Sequence, residues 1–208
     1  AVEKDRQLAD YLNEHFSNNK NVTIINEDML KFKIENLKLK IGTYKVIGNI
    51  PYYLTSRLIR QTLASWPSPK SIIFTVQKEV AQRITAVPPK MSLLSVAVQF
   101  YAQALIETRV SRGSFYPAPK VDSAVIKIIP SRPRPDEEYA KNFFKVVHAG
   151  FSSKRKQLAN NLAAGLKISK DKIQDQLMAL GINPKRRAET LTIEEWRKIY
   201  DTLQGIKT

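Results

Sequence analysis

The chain has no cysteine and only seven glycines among its 208 residues. Without cysteine there are no disulfides, no zinc–thiolate sites and no iron–sulfur clusters. No two glycines are separated by a single residue, so the chain encodes no G-x-G turn of the dinucleotide-binding kind and no phosphate loop. Histidine is equally scarce. His15 and His148 stand alone on helical patterns, with no metal-ligand spacing and no Ser/His/Asp arrangement. No apolar run approaches the roughly 20 residues of a membrane span. The opening Ala1-Val2-Glu3-Lys4-Asp5 lacks both the basic flank and the apolar stretch of a signal peptide. The expectation is a monomeric cytoplasmic protein that uses neither metal nor membrane.

Positive charge is in excess. The formal net charge is +15, and the excess is densest after residue 130. Lys and Arg displace condensed counterions from phosphates, so such a balance favours a polyanionic partner. Apolar residues make up 43% of the chain, enough for one large domain and a small one.

Up to residue 130 strand and helix patterns alternate. Ala1-Val2 reads as the end of a strand, and Leu8, Tyr11, Leu12 and Phe16 form a helical stripe over Asp5 to Phe16. Strands are expected at Asn21 to Asn26, Tyr44 to Ile50, Ser71 to Val76, Ala104 to Val110 and Ala124 to Ile129. Helices are expected at Thr55 to Ser65, Glu79 to Thr85 and Leu93 to Ala102, the last apolar nearly all round. This order argues an α/β fold with an open, mostly parallel sheet. Such a sheet usually begins with a strand, a Gly-rich turn and a helix. Here the pattern opens at what would be the second strand, so a unit of about 30 residues is expected to be missing before it. Ser131-Arg132-Pro133-Arg134-Pro135 reads as a linker, and only helical patterns follow. Acids begin the first at Asp136-Glu137-Glu138, with Phe143, Phe144, Val146 and Val147 inward. Another spans Gln157 to Ala164, and Ser169 caps a third that has Ile173, Leu177, Met178 and Leu180 inward and stops at Gly181. Thr192 to Glu195 fits a capping box.

Gly48-Asn49-Ile50-Pro51-Tyr52-Tyr53 follows a strand and precedes a helix, at the carboxyl end where open α/β sheets bind ligands. An exocyclic adenine amine is a poor nucleophile, because its lone pair is delocalised into the ring. Two acceptors that grip both N–H groups favour a more tetrahedral nitrogen with a directed lone pair. The Asn49 side-chain oxygen and the Ile50 carbonyl can do this, Pro51 fixes the backbone, and Tyr52 can stack on a flipped-out base. An Asp at position 49 would also accept; an apolar residue would not. Glu3 and Asp28 each follow a strand. An acid at the first position can accept from ribose hydroxyls and one at the second from a cofactor's adenine amine, with Met29 packed on the ring. Lys4, Asp5 and Glu27 read as solvent-facing, and Lys120 and Asp122 as shaping a loop.

With these residues placed, the chain resembles the KsgA type of small-subunit rRNA adenine dimethyltransferases. The matching segments are VEKDRQLADYL (2–12), GNIPYYLTS (48–56), VQKEVAQRI (76–84), FYPAPKVDSAV (115–125), FSSKRKQLANNL (151–162) and INPKRRAETLTIEEW (182–196). The resemblance implies a Rossmann-like class I methyltransferase domain over 1–130 and a helical rRNA-binding domain over 131–208. It implies S-adenosylmethionine as methyl donor, two methyl groups on each of two adjacent adenosines, small-subunit rRNA as partner, and a role in ribosome biogenesis. By residue, it places Glu3 on the cofactor ribose, Asp28 and Met29 at its adenine, and Asn49 also near its methionine end. Asn49, Ile50, Pro51 and Tyr52 fall on the target base, with Phe115 closing on that base opposite Tyr52. Lys154-Arg155-Lys156 and Lys185-Arg186-Arg187 are candidates for rRNA phosphates, which position without reading bases; Arg187 could instead pair internally. Two departures stand out. The Gly-rich cofactor loop is absent, and the loop Ala86 to Met91 is shorter and less Gly/Tyr-like than the family's. Two alternatives stay open: an Erm-type enzyme of large-subunit rRNA, and a non-catalytic RNA-binding assembly factor.

Overall fold

Seven residues, Ser71–Gln77 (β4), form the spine of the main sheet. Alternation along SIIFTVQ puts Ile72, Phe74 and Val76 in the interior, and β-branched and aromatic side chains suit that pleated, covered surface. The computed structural model describes residues 1–204 of the chain. In it β4 pairs in parallel with Lys45–Asn49 (β3) on one side and antiparallel with Ser123–Pro130 (β6) on the other. Ala102–Val110 (β5) completes the order β3-β4-β6-β5. β5 and β6 run antiparallel because only the loop 111–122 joins them, and a hairpin turn reverses direction. The sheet is therefore mixed where a mostly parallel one was expected.

A second, two-stranded sheet pairs Val2–Glu3 (β1) in parallel with Ile25–Asn26 (β2). The strand expected over Asn21 to Asn26 is thus shorter, since Asn19 and Asn21 build turns ahead of it. Between β1 and β2 runs Arg6–His15 (α1). Asp5, read as solvent-facing, is exposed, and it is also the N-cap of α1, accepting from the Leu8 N–H. Of the expected apolar stripe on α1, Leu8, Tyr11 and Phe16 are exposed, and only Ala9 is buried.

Thr55–Ala64 (α2), Lys78–Ile84 (α3) and Leu93–Tyr101 (α4) pack on the main sheet. α4 serves two cores. Its Val98 joins the sheet core with Ile72 and Ile126, while Val96 and Phe100 join the core of the helices that follow. Those helices are Glu137–Gly150 (α5), Leu158–Leu166 (α6), Lys170–Ala179 (α7) and Ile193–Gln204 (α8). Asp136 caps α5 through the Glu138 and Tyr139 N–H groups. The capping box before α8 forms as expected, Thr192 Oγ1 accepting from Glu195 N–H and Glu195 Oε2 from Thr192 N–H. α7 stops at Gly181, whose φ of +71° is the left-handed conformation that glycine adopts without strain. Ser169 stands at the N-cap of α7 but its side chain makes no capping bond, and Met178, expected inward, is exposed.

The expected linker is strapped down. Arg132 donates to the Pro69 carbonyl, Arg134 to the Trp66 carbonyl, and Ser131 N–H to Tyr101. The loop over Ala86 to Met91 is anchored too. Gln99 donates to the Ala86 carbonyl, and buried Met91 donates its N–H to Glu189 in the helical part. Among the described residues no helix is long and apolar enough to cross a membrane.

Candidate active site and RNA-facing surface

β3 alternates so that Val46 and Gly48 turn inward while Lys45, Ile47 and Asn49 lie on the open face. Asn49 is the last residue of the strand and pairs with Thr75. Its amide makes no hydrogen bond among the described residues, and it is exposed. The next residue donates its N–H to the Thr75 carbonyl, which anchors the chain and leaves the Ile50 carbonyl without a donor among those residues. Two acceptors on consecutive residues are therefore left open among the described residues. Pro51, at φ −51° and ψ 131°, turns the chain into a single 3-10 turn over Tyr52–Leu54. Tyr52 is half-buried, and its hydroxyl shares a 3.1 Å hydrogen bond with Ser123 Oγ at the start of β6. Tyr53 beside it is exposed.

Phe115 stands in the loop 111–122, half-buried, after a 3-10 turn over Arg112–Ser114. Asp122 closes the base of this loop. Its Oδ1 accepts from the Arg112 N–H at 3.2 Å, Oδ2 lies 3.8 Å from Lys78 Nζ, and its carbonyl accepts from Lys78 N–H. The loop-shaping part expected of Asp122 is thus present in the bonds. Ser123 as the partner of Tyr52 had no sequence signal, being 71 positions away.

Glu3 is half-buried at the end of β1, opposite Asn26, and its Oε1 accepts from the Asp5 N–H. Asp28 lies just beyond β2. Its Oδ1 accepts from Leu30 N–H, and its Oδ2 lies 3.0 Å from Lys4 Nζ. The Leu30 N–H first, and then Lys4, hold the Asp28 carboxyl below the ordinary carboxylate range. Lys4 is solvent-facing, as read from the sequence, and from there it pairs with Asp28. Met29 packs on the sheet core. Glu3 ends β1 and Asp28 follows its partner strand β2 by two residues, while Asn49 belongs to the other sheet.

The two basic triplets, far apart in sequence, meet at the start of α6. Leu158 N–H donates to the Arg186 carbonyl at 2.7 Å and Ala159 N–H to Pro184 at 3.3 Å. Lys154, Arg155, Lys156, Lys185 and Arg187 are exposed there. Arg186 is not free. Its guanidinium forks onto Glu195 at 2.5 and 3.0 Å and also reaches Thr190. The internal pairing considered for Arg187 belongs to Arg186, because position 186 faces the start of α8. Burial works against the Glu195 charge, but Arg186 and the Thr192 N–H outweigh it and lower its pKa. A carboxyl lowered in the folded state stabilises above its unfolded pKa, and that stability is lost as pH falls through the folded pKa. The stability gap between the natural protein and Glu195→Gln should therefore be full near neutral pH and shrink below the ordinary 4.5. Melting curves of both proteins from about pH 7 down to about pH 3 test this, and a pH-independent gap would contradict it.

Comparison with known proteins adds the decisive fact. The family model described as ribosomal RNA adenine dimethylase matches residues 1–205. The chain belongs to the ribosomal RNA adenine dimethylase family. Within this dimethylase family, a ribosomal RNA small subunit methyltransferase A of Dehalococcoides mccartyi is 44% identical over 96% of the chain and 69% of its own length. The protein of the same name from Clostridium botulinum is 39% identical over 99% of the chain and 76% of its own length. Among solved structures, a dimethyladenosine transferase from Plasmodium falciparum superposes with a TM-score of 0.76 at 22% identity, covering 95% of this chain and 78% of that one. The 23S rRNA methyltransferase ErmE gives 0.73 at 22% identity, covering 98% and 80%. These two likenesses establish the Rossmann-like methyltransferase fold with its helical C-terminal part.

Proposed function

We propose that this dimethylase transfers methyl groups from S-adenosylmethionine to the N6 amines of two adjacent adenosines in small-subunit rRNA, in the cytoplasm, as a step of ribosome biogenesis. The pair of open acceptors on Asn49 and Ile50, at the carboxyl end of β3, carries the reading. The names and identities of the bacterial relatives favour the small subunit over the large one, since the similarity to ErmE is one of fold.

Bound S-adenosylmethionine supplies an electrophilic methyl group on a positively charged sulfur. Its ribose diol and adenine amine are hydrogen-bond donors, and the acids Glu3 and Asp28, both partly shielded at strand ends, are acceptors that fit them. Asn49 Oδ1 and the Ile50 carbonyl take the two N–H groups of the target amine and direct its lone pair. Tyr52 holds the face of the extruded base and Phe115 closes on it, stacking being worth roughly 1–3 kcal/mol per base. After transfer the nitrogen is acidic and loses its proton without a strong base. In this reading residues 1–130 carry the chemistry and 131–208 hold the RNA, the protein acting as a monomer.

Incubating the protein with tritiated S-adenosylmethionine and either small-subunit particles or naked large-subunit RNA tests the proposal. Label in the small-subunit RNA is expected. Label confined to large-subunit RNA would favour the Erm-type reading, and RNA binding without label the assembly factor.

Lys154, Arg155, Lys156, Lys185 and Arg187 hold rRNA phosphates. Replacing Lys154, Arg155 and Lys156 by Ala should flatten the plot of log affinity against log salt by about one unit of slope for each phosphate left unneutralised. Filter binding across a salt series reads this directly, and an unchanged slope would remove the triplet from the interface.

A further inference from the structure

We infer that the dipeptide Asp122-Ser123 is a positioning device that sets both stacking aromatics from one point of the sheet; this rests on the methyl-transfer reading above. Ser123 is buried at the first position of β6, flanked by Gln77 of β4 and Val110 of β5. Held from both sides, its hydroxyl is a fixed post, and the Tyr52 hydroxyl is bonded to it at 3.1 Å. The neighbouring residue holds the other ring. Asp122 Oδ1 binds the Arg112 N–H, and the Arg112 carbonyl accepts the Phe115 N–H at 3.3 Å. Asp122 is itself fixed by the first residue of α3, through Lys78 N–H on its carbonyl at 3.0 Å and Lys78 Nζ near Oδ2. The tyrosine arrives from β3 and the phenylalanine from the 111–122 loop. Adjacent residues of a third element therefore fix their spacing. Neither Asp122 nor Ser123 touches a reacting atom; each acts through an aromatic ring.

The test is a pair of double-mutant cycles on the whole chain, with kcat and KM for methyl transfer to small-subunit particles measured beside RNA affinity. Asp122→Ala and Tyr52→Phe should each lower kcat about ten- to a hundredfold, the range for losing a hydrogen bond that orders a reacting geometry. RNA affinity should stay within about threefold, because the phosphates are held elsewhere. Tyr52→Phe keeps the ring and removes only the hydroxyl, so Ser123→Ala on top of it should add little. Phe115→Ala should likewise mask Asp122→Ala. Asp122→Asn retains an acceptor for the Arg112 N–H and should restore most of the rate, which guards against a fold that simply fails. Additive effects in both cycles, or a fully active Asp122→Ala, would overturn the inference while leaving the methyl-transfer reading standing. A natural protein that transfers no methyl group would sink that reading and this inference together.

Discussion

Asn49→Ala should lower kcat for methyl transfer by about a hundred- to a thousandfold, the usual scale for removing one preorganised polar partner of a reacting group. RNA affinity should hardly change. The cause is geometric. Asn49 closes a strand whose register to β4 is fixed through Lys45 and Ser71 to Asn49 and Thr75, so the amide starts from a rigid base. It has no internal partner among the described residues, and truncation leaves the fold without an orphaned group. On the proposed mechanism, what disappears is one of two acceptors on the target amine, leaving the lone pair in the ring. Asn49→Asp keeps an acceptor and should retain a measurable rate. Tritium transfer and filter binding on one preparation separate the two quantities. Equal loss of rate and affinity would mean that Asn49 only helps to bind RNA.

Trp196→Ala should destabilise the protein by about 3–5 kcal/mol, the range for emptying a large aromatic site in a core. For a chain of this size that lowers the melting temperature by roughly 6–20 °C. Trp196 is fully buried among α5, α6 and α8 and stacks on Phe151 at 5.5 Å. α5 comes so close that Gly150 has no room for a side chain. A Cβ there would run into Trp196 Cη2. Backbone held by helix bonds does not collapse into the space left by alanine, so the void persists. Trp196→Phe should cost much less, because the indole N–H has no partner among the described residues and its loss breaks no bond. Thermal and denaturant unfolding of the two variants decide the matter; equal costs would show that ring volume is not what stabilises this core.

Legibility in the sequence followed interaction range. The strand–turn–helix around Gly48 to Tyr53 was readable because its signals are local: a β-branched run, a proline, then a helical stripe. Local too were the acids that start α5 and the Thr192–Glu195 box, although Asp136 as the cap itself was not read. The mixed sheet was less legible, since the composition of β5 and β6 does not state direction. Long-range polar pairs were invisible. Nothing near Ser123 announces Tyr52, nothing near Pro133 announces that its flanking arginines strap onto Trp66 and Pro69, and Arg186 and Arg187 differ only in which way the turn points them. The apolar residues of α1 matched helical spacing, yet spacing alone does not supply a covering partner.

On the proposed RNA-binding role of the basic triplets, the start of α6 has a consequence for how RNA is discriminated. A helix's amino end, with its unsatisfied N–H groups, is a natural anion seat. Here the chain's own carbonyls, Pro184 and Arg186, occupy the N–H groups of Leu158 and Ala159. A phosphate at this corner meets long, swivelling cationic side chains rather than a rigid backbone cradle. Such a grip tolerates many backbone shapes and ignores base identity. On the proposed mechanism, choosing the nucleotide is left to the end of β3, where the amine of an extruded base must present two protons to the Asn49 and Ile50 oxygens while its ring fits between Tyr52 and Phe115.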